Sequence, residues 1–242
     1  MIETRDLAKR FGEVQAVRQV SFTAPDGSIT GLLGPNGAGK TTTLRMIATL
    51  VAPSRGSALV DGIDCVAEPL AVRARLGVLS DARGIYTRLT ARENIAYYGA
   101  LRGMTLAAVD QAIERLADLL DLKAVLDRRT DGFSQGERMK VAIARTLVHD
   151  PPNVMLDEPT NGLDVMTTRK LREVVKRLRE AGKCVLFSSH VMQEVSALCD
   201  QIVIVARGAV VARGTADALL AASGCTSLED AFVHLSGEEM PA

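Results

Sequence analysis

The chain has 242 residues, 47% of them hydrophobic and 24% charged, a composition that can bury a sizeable core and excludes intrinsic disorder. Lysine plus arginine equals aspartate plus glutamate at 29 each, so no global positive field exists to hold a nucleic-acid backbone, and nucleic acid is not an expected partner. From Met1 to Phe11 charged and apolar residues alternate, with no apolar stretch of signal-peptide or membrane-span length. Together with four cysteines (Cys65, Cys184, Cys199 and Cys225) that lack C-x-x-C spacing, this predicts a cytoplasmic chain with reduced thiols.

Up to about Gly31, short apolar runs alternate with turns such as Pro25-Asp26-Gly27, which predicts antiparallel strands; on pattern alone Phe11 is a core residue there. An apolar strand, Ile29 to Leu33, then meets a glycine-rich loop, and Leu44, Ile47 and Ala48 follow at helical spacing within Thr41 to Leu50. Between about Thr90 and Val148 the pattern is mostly helical. Val109, Ile113, Leu116 and Leu120 share one face of the segment Ala107 to Leu120. Beyond Pro151-Pro152 come three short apolar runs, Val154 to Leu156, Cys184 to Phe187 and Ile202 to Val205, with an amphipathic helix Thr167 to Glu180 between the first two. Buried strands alternating with helices predict a parallel sheet. The run Ile202 to Ala206 followed by Val210 to Ala212 reads as a hairpin, and the tail, about 216–242, is weakly helical before fraying at Gly237-Glu238-Glu239. The expectation is one composite α/β domain over 1–242: a mixed sheet, an N-terminal antiparallel β subdomain, and a helical subdomain inserted at about 88–148.

Gly34-Pro35-Asn36-Gly37-Ala38-Gly39-Lys40-Thr41, with Thr42 beside it, matches G-x-x-x-x-G-K-[ST] between a strand and a helix, the context that this phosphate-binding loop requires. Glycines let backbone N–H groups turn toward phosphates, and the helix start adds favourable dipole potential. Lys40 then reaches the β- and γ-phosphates, and the Thr41 hydroxyl holds Mg²⁺. Val154-Met155-Leu156-Asp157-Glu158 is an apolar strand ending in two carboxylates at the sheet edge where α/β folds bind ligands. Asp157 suits the Mg²⁺ shell and Glu158 a neighbouring water. The chain contains no Asn-Lys-x-Asp motif, which excludes a guanine-reading GTPase.

Phe133-Ser134-Gln135-Gly136-Glu137, opening a helix to about Val148, resembles the Leu-Ser-Gly-Gly-Gln signature of ABC ATPases, and Ser134 with Glu137 is equally a capping box. Phe11, the phosphate loop, the signature, the acidic strand end, Asn161-Gly162-Leu163-Asp164 and His190 follow in family order. The resemblance therefore covers nearly the whole chain, and it is to the ATP-binding subunit of an ABC transporter. It implies a P-loop NTPase core, ATP and Mg²⁺ as ligands, and ATP hydrolysis. It implies a homodimer or heterodimer of such subunits on membrane-spanning permease subunits, at the inner face of the membrane.

By that resemblance Phe11 stacks on adenine, Ser134 and Gly136 contact the γ-phosphate held by the opposite subunit, and His190 contacts the γ-phosphate as a switch. Lys40, Glu158 and His190 form the catalytic set. Two departures stand out. Gln135 and Glu137 replace a glycine and a glutamine of the signature, which predicts a bulkier, more acidic surface facing the partner's nucleotide. Asp81 occupies the place of a family glutamine that ligates Mg²⁺. Ser80-Asp81, the signature variant and the tail Ser227 to Phe232 together resemble the sodium- and drug-exporting branch. The alternative is a soluble ABC ATPase acting on ribosomes or DNA, whose usual tandem domains or coiled-coil insertion this sequence lacks. His149 and His234 match no motif and are expected at the surface.

Overall fold

The computed structural model describes residues 1–80 and 84–236. The strands β1 (Ile2–Phe11), β2 (Val14–Ala24), β4 (Arg55–Val60) and β5 (Ile63–Asp64) pair antiparallel, as the alternation near the N-terminus predicts. A second group, β3 (Ile29–Leu33), β6 (Leu76–Leu79), β7 (Asn153–Asp157), β8 (Cys184–Ser189) and β9 (Gln201–Ala206), pairs in parallel, and β10 (Ala209–Gly214) closes it as an antiparallel hairpin with β9. One bridge between β10 and β2, Ala209 to Gln19, joins the two groups into a ten-stranded sheet ordered β5-β4-β1-β2-β10-β9-β3-β8-β7-β6.

Every residue of β3, β7 and β8 is buried, which is why those segments read as continuous apolar runs: a parallel strand covered on both faces has no solvent side. Alternate residues divide between the two faces. Val154, Leu156, Val185 and Phe187 pack with the helices α3 (Ala91–Leu101), α4 (Leu106–Leu120), α5 (Gln135–Leu147) and α6 (Val165–Glu180). Met155 and Leu186 pack on the opposite face with α1 (Lys40–Ile47) and the antiparallel strands. Helices α7 (Met192–Leu198), α8 (Ala216–Ser223) and α9 (Leu228–Ser236) cover Leu33, Ile202 and Ile204.

The helical run between β6 and β7 holds α3, α4 and α5, and the apolar face expected on α4 is buried at all four positions. The first helix is shorter than its apolar spacing suggests. It stops at Ile47, and Thr49 takes a left-handed φ of 62°, which a continuing helix does not allow. Phe11 corrects the core assignment: it lies at the tip of the β1–β2 hairpin opposite Val14, is 47% exposed, and has the Lys9 ammonium 4.9 Å from its ring centroid. The strand extends past the packed face, so alternation there no longer reports burial.

His234 is exposed as expected, whereas His149, just beyond α5, is half-buried. Both of its ring nitrogens are shielded from solvent, beside the Leu76 backbone. Burial, and then the nearby Arg102 guanidinium, push the imidazole pKa down to about 4. The folded protein therefore holds a neutral ring that the unfolded chain protonates below its ordinary value of 6.5, and the stability tied to this group is lost as pH falls from there toward about 4. Replacing His149→Leu should make the fall in Tm between pH 7 and pH 5 smaller than in the wild type; an equal fall in both proteins would show that the ring does not contribute.

Candidate active site

Strand register assembles the site. Leu33 of β3 pairs with Ser189 of β8, and Asp157 of β7 pairs with Ser188, so the chain leaves three adjacent strands at one edge as Gly34, His190 and Glu158. These ends surround a cleft of about 540 Å³ lined by Asn36, Gly37, Lys40, Thr41, Glu158 and His190 among others. Pro35, Gly39 and Thr42 line it too, together with Gln15 and Asn161.

Backbone geometry explains two of the loop's glycines. A Cβ on Gly34 would lie 2.2 Å from the Val205 carbonyl oxygen, so β9 leaves no room for any side chain. Gly39 has φ 102° and a Cβ there would lie 2.7 Å from the Ala16 carbonyl oxygen, which rules out other residues on two counts. Ala38 is buried beneath the loop, with its carbonyl accepting from Gly208 N–H at 3.0 Å.

Lys40 is only 5% exposed and enters the loop from below. Its ammonium donates to the carbonyls of Gly34 at 2.5 Å and Pro35 at 3.1 Å, and lies 3.4 Å from Glu158 Oε1. The other carboxylate oxygen, Oε2, meets His190 Nδ1 at 2.8 Å. Lys40, Glu158 and His190, proposed from three separate motifs, thus form one contiguous cluster. Glu158 holds a left-handed φ of 46°, uncommon for a residue with a side chain, at the point where β7 turns away from the sheet.

Ser188 stabilises that corner. Its hydroxyl donates to Asp157 Oδ1 at 2.6 Å and accepts from the Glu158 N–H at 3.0 Å, so one side chain of β8 orients both acidic residues. Asp157 is buried, and with Thr41 and Ser80 it lines an adjoining cavity of about 310 Å³. Thr41 borders both spaces. A hydroxyl and a carboxylate beside the phosphate cleft are hard oxygen donors of the kind Mg²⁺ takes, and the described residues hold no cluster of three or more His, Cys, Asp or Glu that would bind a metal without phosphate or water. Asp81 lies outside the described residues.

Phe11, Ser134 and Gly136 do not line the cleft. Ser134 caps α5: its hydroxyl accepts from Glu137 N–H at 3.2 Å, while Glu137 Oε2 accepts from Ser134 N–H at 2.8 Å. The acidic surface expected from Glu137 is therefore turned back into the cap. Gln135 is exposed and reaches the neighbouring loop, with Nε2 3.4 Å from the Asn161 carbonyl oxygen, and Thr167 lies where a Cβ on Gly136 would be in close contact. The signature turn rests on the Asn161 to Asp164 loop, whose last residue caps α6 by accepting from Thr167 N–H at 2.9 Å. Sequence patterns did not single out Ser188, although two serines ending an otherwise apolar buried strand are an available signal.

The chain belongs to the ABC transporter family, whose description it matches over residues 17–161. It is similar to the ABC transporter ATP-binding protein NatA of Bacillus subtilis, at 46% identity over 224 residues, which are 90% of this chain and 91% of that protein. It is also similar to the daunorubicin/doxorubicin resistance ATP-binding protein DrrA of Streptomyces peucetius, at 38% identity over 230 residues, 94% of this chain and 69% of that protein. Among solved structures, a dimeric ATP-binding cassette in a post-hydrolysis state, bound to ADP and Pi, matches with a TM-score of 0.80 and 25% identity, covering 89% of this chain and 98% of its own. The chain is thus an ATP-binding and ATP-hydrolysing protein of this family.

Lys40→Ala should remove tight ATP binding, because it takes away the ammonium held inside the loop and leaves backbone amides to face the phosphates. Equilibrium titration checks this, and unchanged affinity would mean that the loop does not hold the triphosphate.

Proposed function

We propose that this chain powers export through separate membrane-spanning subunits by closing on a second ATP-binding subunit around ATP and Mg²⁺. The observation that carries the reading is the division of the site. The phosphate loop, Glu158 and His190 share one cleft, whereas the signature serine caps a helix away from it. Ser134 uses its hydroxyl as an acceptor in the cap, which leaves the hydroxyl proton to donate to an anion presented by another subunit. Both halves occur on one chain, so a second copy or a related subunit can complete two sites. The dimeric form of the similar cassette supports this arrangement. The chain is read as one composite domain over 1–242, with the segment of about 88–148 carrying the signature toward the partner.

Within each site, Lys40 leaves Glu158 for the β- and γ-phosphates, and the loop amides neutralise the remaining charge. Thr41 and Asp157 would hold Mg²⁺ through their hydroxyl and carboxylate oxygens, and the ion would offset charge on the phosphates. Glu158 orients or deprotonates the attacking water, His190 supports the γ-phosphate, and Phe11 offers a flat exposed face for adenine. No described helix is long and apolar enough to cross a membrane. Tyr86 and Tyr97, exposed and 5.4 Å apart between ring centroids, add apolar surface for a membrane-spanning partner. The names of similar proteins, which include a drug-resistance ATP-binding protein, support an exporting role.

Glu158→Gln should keep ATP affinity while reducing turnover by about 10²-fold or more, since an amide fills the space but cannot take a proton. Trapped ATP should then produce a dimer on size-exclusion chromatography. A variant that turns over like the wild type would remove Glu158 from the chemistry, and one that stays monomeric with saturating ATP would count against closure of two such chains.

A further inference from the structure

Glu194 is a buried carboxylate outside every motif discussed above. It lies in α7, four residues beyond His190, and is 8% exposed. Its Oε2 accepts from Thr160 Oγ1 at 2.6 Å and from Ser189 Oγ at 3.3 Å, and its Oε1 lies 3.9 Å from the Arg172 guanidinium of α6. Thr160 and Ser189 are themselves buried. A carboxylate withdrawn from water is costly unless hydrogen bonds occupy its lone pairs, and an apolar side chain would fill this position without needing them.

The partners' positions point to its purpose. Thr160 follows Glu158 by two residues, inside the turn closed by Asn161 N–H donating to the Glu158 carbonyl at 3.2 Å. Ser189 directly precedes His190, and its hydroxyl also accepts from Val191 N–H at 3.0 Å, closing the turn that presents the imidazole. One carboxylate oxygen therefore joins the two turns whose side chains meet at the 2.8 Å contact between Glu158 and His190. Those turns leave different strands, and Glu158 holds a left-handed backbone that needs support from its surroundings.

We propose that Glu194 is a positioning residue for ATP hydrolysis, its carboxylate fixing the Glu158 turn against the His190 turn through Thr160 and Ser189. The inference rests on the roles proposed for Glu158 and His190. The phosphate loop makes none of these contacts, so ATP binding is independent of Glu194 and the effect falls on the chemical step. A glutamine keeps one carbonyl oxygen able to accept from both hydroxyls, whereas alanine leaves both turns untied.

The test measures kcat, KM and equilibrium ATP affinity on the full chain. Glu194→Ala should lower kcat about 10- to 100-fold, the cost of misplacing reactive groups by a fraction of an ångström to an ångström. ATP affinity should stay within about twofold of wild type, and Glu194→Gln should retain most of the turnover. Thr160→Val keeps side-chain shape, removes the shorter hydrogen bond, and should lower kcat in the same way; combined with Glu194→Ala it should add little. Thr160→Val decides the matter where Glu194→Ala does not fold. Wild-type kcat in Thr160→Val and in folded Glu194→Ala would overturn the proposal, as would loss of ATP affinity in step with loss of turnover. Glu158→Gln, measured alongside, separates the two levels: full turnover there overturns the assigned chemistry and this inference together, whereas an inactive Glu158→Gln beside fully active Thr160→Val and Glu194→Ala overturns the Glu194 role alone.

Discussion

The Lys40 ammonium is withdrawn from water, and the residues around the cleft are arranged to satisfy it. Two carbonyls of the loop that wraps it and one oxygen of Glu158 surround the charge. A buried cation without such partners is strongly unfavourable, so the loop's shape and the position of the acidic strand end constrain each other. A triphosphate entering the loop competes with Glu158 for the same ammonium. The other oxygen of that carboxylate lies against His190, so the proposed exchange at Lys40 would leave the contact between Glu158 and His190 in place.

That exchange depends on the strands beneath it. Parallel pairing among β3, β7 and β8 brings three chain segments out of the sheet at one edge, and the register decides which side chains meet. Hydroxyl groups then fix the corners. Ser188 holds Asp157 and the Glu158 backbone from one side, and the buried Glu194 gathers Thr160 and Ser189 from the other. Polar groups in this position stabilise one arrangement of the site because every alternative leaves a buried donor or acceptor unmatched. The signature helix follows a different rule. Its start is satisfied internally by the capping box, and Gln135 leans on the neighbouring loop.

The parts of this arrangement that were legible in the sequence are those with a local cause. Gly34 to Thr41 is constrained by backbone approach to β9 and β2, and fixed spacing records that constraint. The buried strands show as apolar runs and the α5 cap as Ser134 with Glu137, because each rests on neighbours a few residues away. What sequence did not reveal depends on distant partners. Ser188 and Glu194 act across 30 or more residues of chain, on Glu158 and Thr160; the apolar run before Ser188 marks it only as part of a buried strand, and nothing in the immediate neighbours of Glu194 distinguishes it from an ordinary surface polar residue. His149 looked exposed because histidine commonly is, while its burial follows from how the end of α5 meets the start of β6. Phe11 failed in the opposite sense, since the alternating pattern continued past the end of the packed sheet.

A crystal structure of the chain with Mg²⁺ and a non-hydrolysable ATP analogue tests the exchange of partners at Lys40 most directly. The account predicts a triphosphate enclosed by residues 34–42, with the Lys40 ammonium on the β- and γ-phosphate oxygens and clear of Glu158, whose carboxylate stays against His190 and faces the γ-phosphate. A triphosphate bound outside the loop, or bound inside it with the contact between Lys40 and Glu158 intact, would contradict it.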